Sequence, residues 1–113
     1  MVADLKKQLS IAVDTESNSL HAYQERVCLM QISTPETDYL VDPFPIQDMT
    51  PLGEVFADAK IQKVFHAGDY DLATLKRDFG FEFVNIFDTM LAATALAEPS
   101  IGLAALLDKY FDI

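Results

Sequence analysis

Basic residues are scarce in this chain: eight Lys and Arg stand against 18 Asp and Glu, a formal charge of −10. Lys6, Lys7, Arg26, Lys60, Lys63, Lys76, Arg77 and Lys109 never gather beyond a pair, so the sequence has no basic patch for gripping a phosphate backbone. Cysteine is scarcer still. The one present, Cys28, excludes an internal disulfide, and inside the apolar run VCLMQIS it reads as a small buried core residue, compatible with a reducing compartment. No apolar run approaches the roughly 20 residues of a membrane span, and no charged-then-apolar leader opens the chain. Two histidines and one cysteine without ligand spacing assemble no zinc site, and without a Gly-x-Ser-x-Gly elbow nucleophilic hydrolase chemistry has no support. Repeats, linkers and low-complexity segments are absent too. The expectation is a soluble, cytoplasmic chain with no membrane partner.

What is there is a chain of 113 residues, half of them apolar, enough for one compact domain with a real core and too short for two. Strand patterns occur at 10–14, 26–33, 38–42 and 61–66. The polar loop TPET joins the second and third, which predicts an antiparallel hairpin and a three-stranded meander. Thr50 reads as a helix cap with Pro51 at the first helical position. After the strand IQKVFHA, the stretch GDYDLATLKRDFG sets Leu72, Leu75 and Phe79 on one helical stripe and stops at Gly80. A short run FVNIF, a helix from Asp88 and a last helix after Pro99 complete the order β-β-β-α-β-α-β-α-α. That order predicts an α/β fold with a mixed sheet, antiparallel first and parallel later, flanked by helices.

Two segments carry candidate chemistry. In IAVDTESNSL, alternate strand residues share a face, so Asp14 and Glu16 point the same way with roughly 7 Å between their α-carbons. Two unpaired carboxylates repel each other, and a divalent cation is the simplest remedy; oxygen ligands select Mg²⁺ or Mn²⁺ over zinc. Alternatively the strand ends at Val13 and both acids are solvated loop residues, the arrangement this segment alone favours. In HAGDYD, at a strand-to-helix junction, Asp71 precedes Leu75 by four residues and faces inward with it, while Asp69 lies about 200° around the helix and faces water. Both are also what a first helical turn prefers on electrostatic grounds. His66, closing a buried strand, is more often a hydrogen-bonded structural residue than a catalyst.

Together, IAVDTESNS, VCLMQIS, DYLVDP, KVFHAGDYDLATLKRDFG, NIFDTMLAA and GLAALLDKYF resemble, in order and spacing, the DEDD 3′-5′ exonucleases and specifically the ribonuclease D branch. The resemblance implies a ribonuclease H-like fold over residues 1–113. It implies that Asp14, Glu16 and Asp71 are metal ligands and catalytic residues of a two-metal site for Mg²⁺ or Mn²⁺, hydrolysing phosphodiester bonds from a 3′ end, RNA favoured over DNA. Thr15, through its backbone, and His66 would line the terminal nucleotide, as would the loop after Glu16. Asp88 matches a recurrent family Asp-Thr, but at a helix start it reads first as an N-cap.

The resemblance has one gap. The family's third motif, Tyr-x-x-x-Asp, supplies the fourth metal ligand and the water-orienting group; Tyr23, Tyr39 and Tyr70 are followed four residues on by Val27, Pro43 and Thr74, and Tyr110 has too few residues after it. The chain therefore reads as an exonuclease domain cut before that motif, inactive or nearly so by itself, its two-metal site incomplete. A non-catalytic module gripping a nucleic-acid end or a protein is the main alternative. An acidic receiver-type signalling domain is disfavoured, because it requires alternating β and α from the start.

Overall fold

The computed structural model describes residues 1–18 and 25–113. A short helix, α1 (Val2–Leu5), precedes strands β1 (Ser10–Asn18), β2 (Arg26–Ser33) and β3 (Asp38–Val41). Then come α2 (Thr50–Ala57), β4 (Gln62–Phe65), α3 (Asp69–Phe79), β5 (Ile86–Asp88), α4 (Thr89–Ala95) and α5 (Leu103–Phe111). The expected order holds, with α1 added in front. The five strands form one mixed sheet in the order β3-β2-β1-β4-β5. β1 pairs antiparallel with β2 and β2 with β3, whereas β1–β4 and β4–β5 are parallel. The fold is ribonuclease H-like, as expected.

One face of the sheet builds the core. Ile11 and Val13 of β1, Met30 and Ile32 of β2 and Phe65 of β4 are buried against Leu5 of α1, Leu52, Val55 and Phe56 of α2, and Leu75 of α3. Alternation along each strand sends their neighbours to the other face. Phe56 stacks at centroid distances of 5.2 Å on Phe81 and 4.8 Å on Phe83, pinning the α3–β5 connection against α2. Gly80 ends α3 in the left-handed region at φ 69°, its N–H bonded to Lys76 O, where a side chain would be strained. Among the described residues no helix is long and apolar enough to cross a membrane.

Three local expectations are corrected, and a fourth falls largely outside the described residues. β1 runs on to Asn18, so Asp14 and Glu16 are strand residues and not loop residues. The loop read after Glu16 lies largely outside the described residues, which resume at Glu25. Thr50 is the first helical residue rather than the cap: Met49 is the N-cap, and Asp48 Oδ1 accepts the Thr50 N–H at 3.0 Å. Cys28 is only half-buried, because the register slips there: Glu16 lies opposite Leu29 but Ser17 opposite Val27, leaving Cys28 as the extra residue of a β-bulge.

Lys63 occupies a core-facing position of β4 and is 0% exposed. Its ammonium donates to three carbonyl oxygens, Asp58 O and Ile61 O at 2.6 Å and Val84 O at 2.8 Å. Three donors meeting three acceptors leave nothing unpaired, which is how a buried lysine becomes tolerable. Burial pushes its pKa down, with Asp58 opposing.

Candidate active site

The pleat of β1 divides the site in two. Val13 and Thr15 point into the core, while Asp14 and Glu16 project from the opposite face and are exposed. Below the strand, Thr15 Oγ1 donates to Asp71 Oδ1 at 2.5 Å, and Thr74 Oγ1 bonds Asp71 O at 3.0 Å. Asp71 is 9% exposed, whereas Asp69 is exposed, the split that the helical period predicts. Burial raises the Asp71 pKa; the Thr15 hydroxyl opposes this, and the negative charges of Asp14, Glu16 and Asp88 raise it further.

The three predicted ligands thus share one electrostatic neighbourhood without forming a cage. Among the described residues no three His, Cys, Asp or Glu side chains converge to hold a metal ion, which corrects the expectation of converging carboxylates. The reason is the pleat: Asp71 gives an oxygen to Thr15 on the core side, and the other two acids leave from the far side. In kind, however, the donors fit a hard divalent cation, being all carboxylate oxygens, and the charge that disfavours ionised Asp71 is what a cation would relieve. Thr15 has its hydroxyl committed to Asp71 and is paired with Met30 in the β1–β2 ladder, so its side chain is not offered to a substrate.

The strand-to-helix turn after β4 is held from one place, the β5–α4 junction. Asp88 caps α4, its carboxylate accepting from Met90 N at 2.8 Å and Leu91 N at 3.3 Å. The same carboxylate accepts Ala67 N at 3.0 Å and Gly68 N at 2.8 Å. Burial works to raise the Asp88 pKa, but these four N–H donors bring it below the usual carboxylate value. Next to it, Thr89 Oγ1 donates to Phe65 O at 3.1 Å and lies 2.8 Å from His66 Nδ1. Two residues therefore grip four consecutive ones.

The turn needs gripping. Ala67 sits at φ 56°, and a Cβ on Gly68 would lie 2.5 Å from Phe65 Cβ. The N-cap role of Asp88 is legible in the sequence. Its bonds to Ala67 and Gly68, and those of Thr89 to the histidine, have no local signal, since their partners lie 20 and more residues away.

On the exposed face of β1 a cavity of about 410 Å³ opens, lined by Asp14, Gln31, Ser33, His66, Thr89 and Leu103 among others. This volume lies within the range of about 300–1,000 Å³ usual for small-ligand sites. It brings Asp14 and His66 to one cavity.

The family model described as 3′-5′ exonuclease matches residues 1–113. The exosome complex exonuclease RRP6 of Saccharomyces cerevisiae is 44% identical over 111 residues, covering 97% of this chain and 15% of that protein. The crystal structure of the catalytic core of RRP6 from Trypanosoma brucei superposes with a TM-score of 0.92 at 39% identity, over 99% of this chain and 31% of that one. Escherichia coli RNase D, described as an exoribonuclease involved in structured RNA processing, matches with a TM-score of 0.88 and 28% identity over 99% of this chain and 30% of that one. Brucella melitensis NrnC with bound Mg²⁺ matches with a TM-score of 0.83 and 27% identity, over 97% of this chain and 57% of that one. The chain spans between 12% and 15% of the length of the full-length RRP6 of Saccharomyces cerevisiae and of two further curated relatives.

Proposed function

The chain belongs to the 3′-5′ exonuclease family, and from that membership we propose that it is a domain of the kind that removes nucleotides from the 3′ end of RNA, with Asp14, Glu16 and Asp71 as its acidic centre and with little or no activity by itself. The observation that carries this is the coupling across β1: Asp71 is held under the strand by Thr15 while its ionisation feels the charges of Asp14 and Glu16 on top. Acids whose charges act on one another, with one of them buried, favour a bound cation, which would offset that repulsion.

Asp14, Glu16 and Asp71 would hold Mg²⁺ or Mn²⁺. When bound, such an ion lowers the pKa of a water molecule and offsets negative charge developing on a phosphate. The chain's own residues do the rest. The cavity beside Asp14 seats the terminal nucleoside, with Gln31 and Ser33 offering polar contacts and Leu103 an apolar wall. The backbone of Thr15 and the ring of His66 line it. With a formal charge of −10 the chain repels a polyanion, so substrate is attracted by cations at the acidic centre and not by the protein surface. RNA is favoured because RNase D is described as an exoribonuclease.

A second reading, a module that grips a nucleic-acid end without cutting, draws on the carboxylates not converging. Both readings meet in one experiment. A 5′-labelled RNA oligonucleotide is incubated with excess chain and Mn²⁺. The proposal expects slow shortening from the 3′ end, one nucleotide at a time, abolished by Asp14→Asn. Internal cleavage, or shortening that the substitution leaves unchanged, overturns it. Mn²⁺-dependent binding of a nucleoside 5′-monophosphate without any shortening selects the gripping module, and neither binding nor shortening overturns both.

A further inference from the structure

Helix α3 carries Asp71 but does not fix its own start. Its N-cap is Gly68, which has no side chain to accept the unpaired amides of a first helical turn, and the residue before it, Ala67, sits at φ 56°. The hold comes from the next strand. Asp88, opposite Phe65 at the end of β5, accepts Gly68 N–H on Oδ2 at 2.8 Å and Ala67 N–H on Oδ1 at 3.0 Å. The same Oδ1 takes Met90 and Leu91 N–H at the start of α4. One carboxylate thus stands between the first turns of two helices, and α3 begins where Asp88 puts it.

Asp71 lies in that first turn, three residues after Gly68. Leu72 N–H bonds Gly68 O at 2.8 Å and Thr74 Oγ1 bonds Asp71 O at 3.0 Å, so the turn moves as one piece. It meets β1 through Thr15 Oγ1 and Asp71 Oδ1, 2.5 Å apart. A shift of about 0.5 Å at the helix start brings that pair to the limit of an O–H···O bond, about 3.0 Å. Charge is not what Asp88 lends to Asp71, because its own negative charge works against the ionisation of Asp71. What it supplies is place.

We propose that Asp88 is a positioning residue of the acidic centre: by fixing the first residues of α3 it sets Asp71 against Thr15, in place for a cation shared with Asp14 and Glu16. The inference rests on the reading of these three acids as a cation centre. It gives Asp88 a part in the chemistry that its capping of α4 alone would not.

Asp88→Asn and Asp88→Ser separate the two jobs. Both remove the charge and both keep a good cap for α4, but Asn retains an acceptor that reaches Ala67 and Ser does not. In the metal-free 113-residue chain, nuclear Overhauser effects between the side chains of Thr15 and Asp71 are expected to weaken in Asp88→Asn and to weaken further in Asp88→Ser. Mn²⁺ affinity, read from amide broadening at Asp14 and Asp71, should be about 10-fold lower in Asp88→Ser than in Asp88→Asn, as when a residue that orients a metal ligand is lost. Lys63→Met, destabilised at the other end of β4, should keep the wild-type Overhauser effects and an Mn²⁺ affinity within about 2-fold of wild type. Wild-type Overhauser effects in Asp88→Ser overturn the proposal, as does an Mn²⁺ affinity equal in the two Asp88 variants or equally lowered in Lys63→Met. If Asp88→Ser fails to fold, Asp88→Asn decides, since its amide leaves Gly68 N–H unpaired; unchanged Overhauser effects there overturn the proposal. If the wild type binds Mn²⁺ at Asp14 and Asp71 and the variants bind it alike, this inference falls and the cation centre stands. If the wild type binds none there, both fall.

Discussion

Asp88→Ala should cost this chain far more than a helix cap. Losing the cap on Met90 and Leu91 is worth about 1 kcal/mol. The carboxylate also takes the N–H groups of Ala67 and Gly68, and hydrogen bonds to a charged group are worth about 1.5 kcal/mol or more each. The two amides respond differently once the carboxylate is gone. Ala67 is exposed and can turn its N–H to water, whereas Gly68 is buried and its N–H is left unpaired. The expected loss is therefore about 3 kcal/mol, on the order of 10 °C in Tm for a domain of this size. Asp88→Asn keeps one acceptor oxygen and should lose about half as much. Urea unfolding of the three chains measures both values, and amide exchange at Gly68 should accelerate in Asp88→Ala well beyond the global change. The pH dependence has a definite sign. The folded-state pKa of Asp88 is lowered, so its contribution is complete above the ordinary value of 3.8 and is lost as pH falls below it. The gap between wild type and Asp88→Ala should close in acid. A loss near 1 kcal/mol, indistinguishable from Asp88→Asn, would refute the claim that this carboxylate holds the turn as well as the helix.

Three further substitutions probe the frame and the acidic centre. Lys63→Met leaves Ile61 O and Val84 O without the ammonium that pairs them; a loss of about 3–5 kcal/mol in urea unfolding is expected, and a loss below about 1 would contradict the three-carbonyl account. Gly68→Ala drives a methyl into Phe65 and should cost about 2 kcal/mol, against a neutral result if the turn can open. Asp71→Asn keeps an acceptor for Thr15 and removes the charge that burial and its acidic neighbours disfavour. Because the folded pKa of Asp71 is raised, its ionisation costs stability at neutral pH, and the cost fades as pH falls through that raised value. In chelator at neutral pH Asp71→Asn should melt above wild type, with the difference shrinking in acid; a lower melting temperature would show that the acids do not repel each other in the folded chain.

Elements with a local signature were legible in the sequence. Pro51 lies in the first turn of α2, one residue later than its pattern suggests, Gly80 closes α3, and the stripe of Leu72, Leu75 and Phe79 faces the core, as does Asp71 by the same period. What escaped depends on pairing across the chain. Cys28 reads as a core residue in its own strand and becomes half-buried only through the register slip against Glu16 and Ser17. The end of β1 is hard to place because two acids one residue apart read as a strand end, when one face of this strand is simply open enough to carry them. Lys63 looks like a solvated lysine until the carbonyls of Asp58, Ile61 and Val84 are brought to it. For the candidate site, the residue types of Asp14, Glu16, Asp71 and His66 were legible. The Thr15 hydroxyl under Asp71 and the grip of Asp88 and Thr89 were not, since each joins segments far apart in sequence.

Paramagnetic broadening by Mn²⁺ in the ¹H–¹⁵N spectrum of the chain bears most directly on the acidic centre. Substoichiometric Mn²⁺ should erase the amide signals around Asp14–Glu16 and Tyr70–Asp71 first, Mg²⁺ should restore them by competition, and Asp14→Asn should abolish the effect. Broadening that begins at other acids of this highly charged chain, such as Asp42 and Asp48, or that persists unchanged in Asp14→Asn, would contradict the assignment of Asp14, Glu16 and Asp71 as the place where a divalent cation binds.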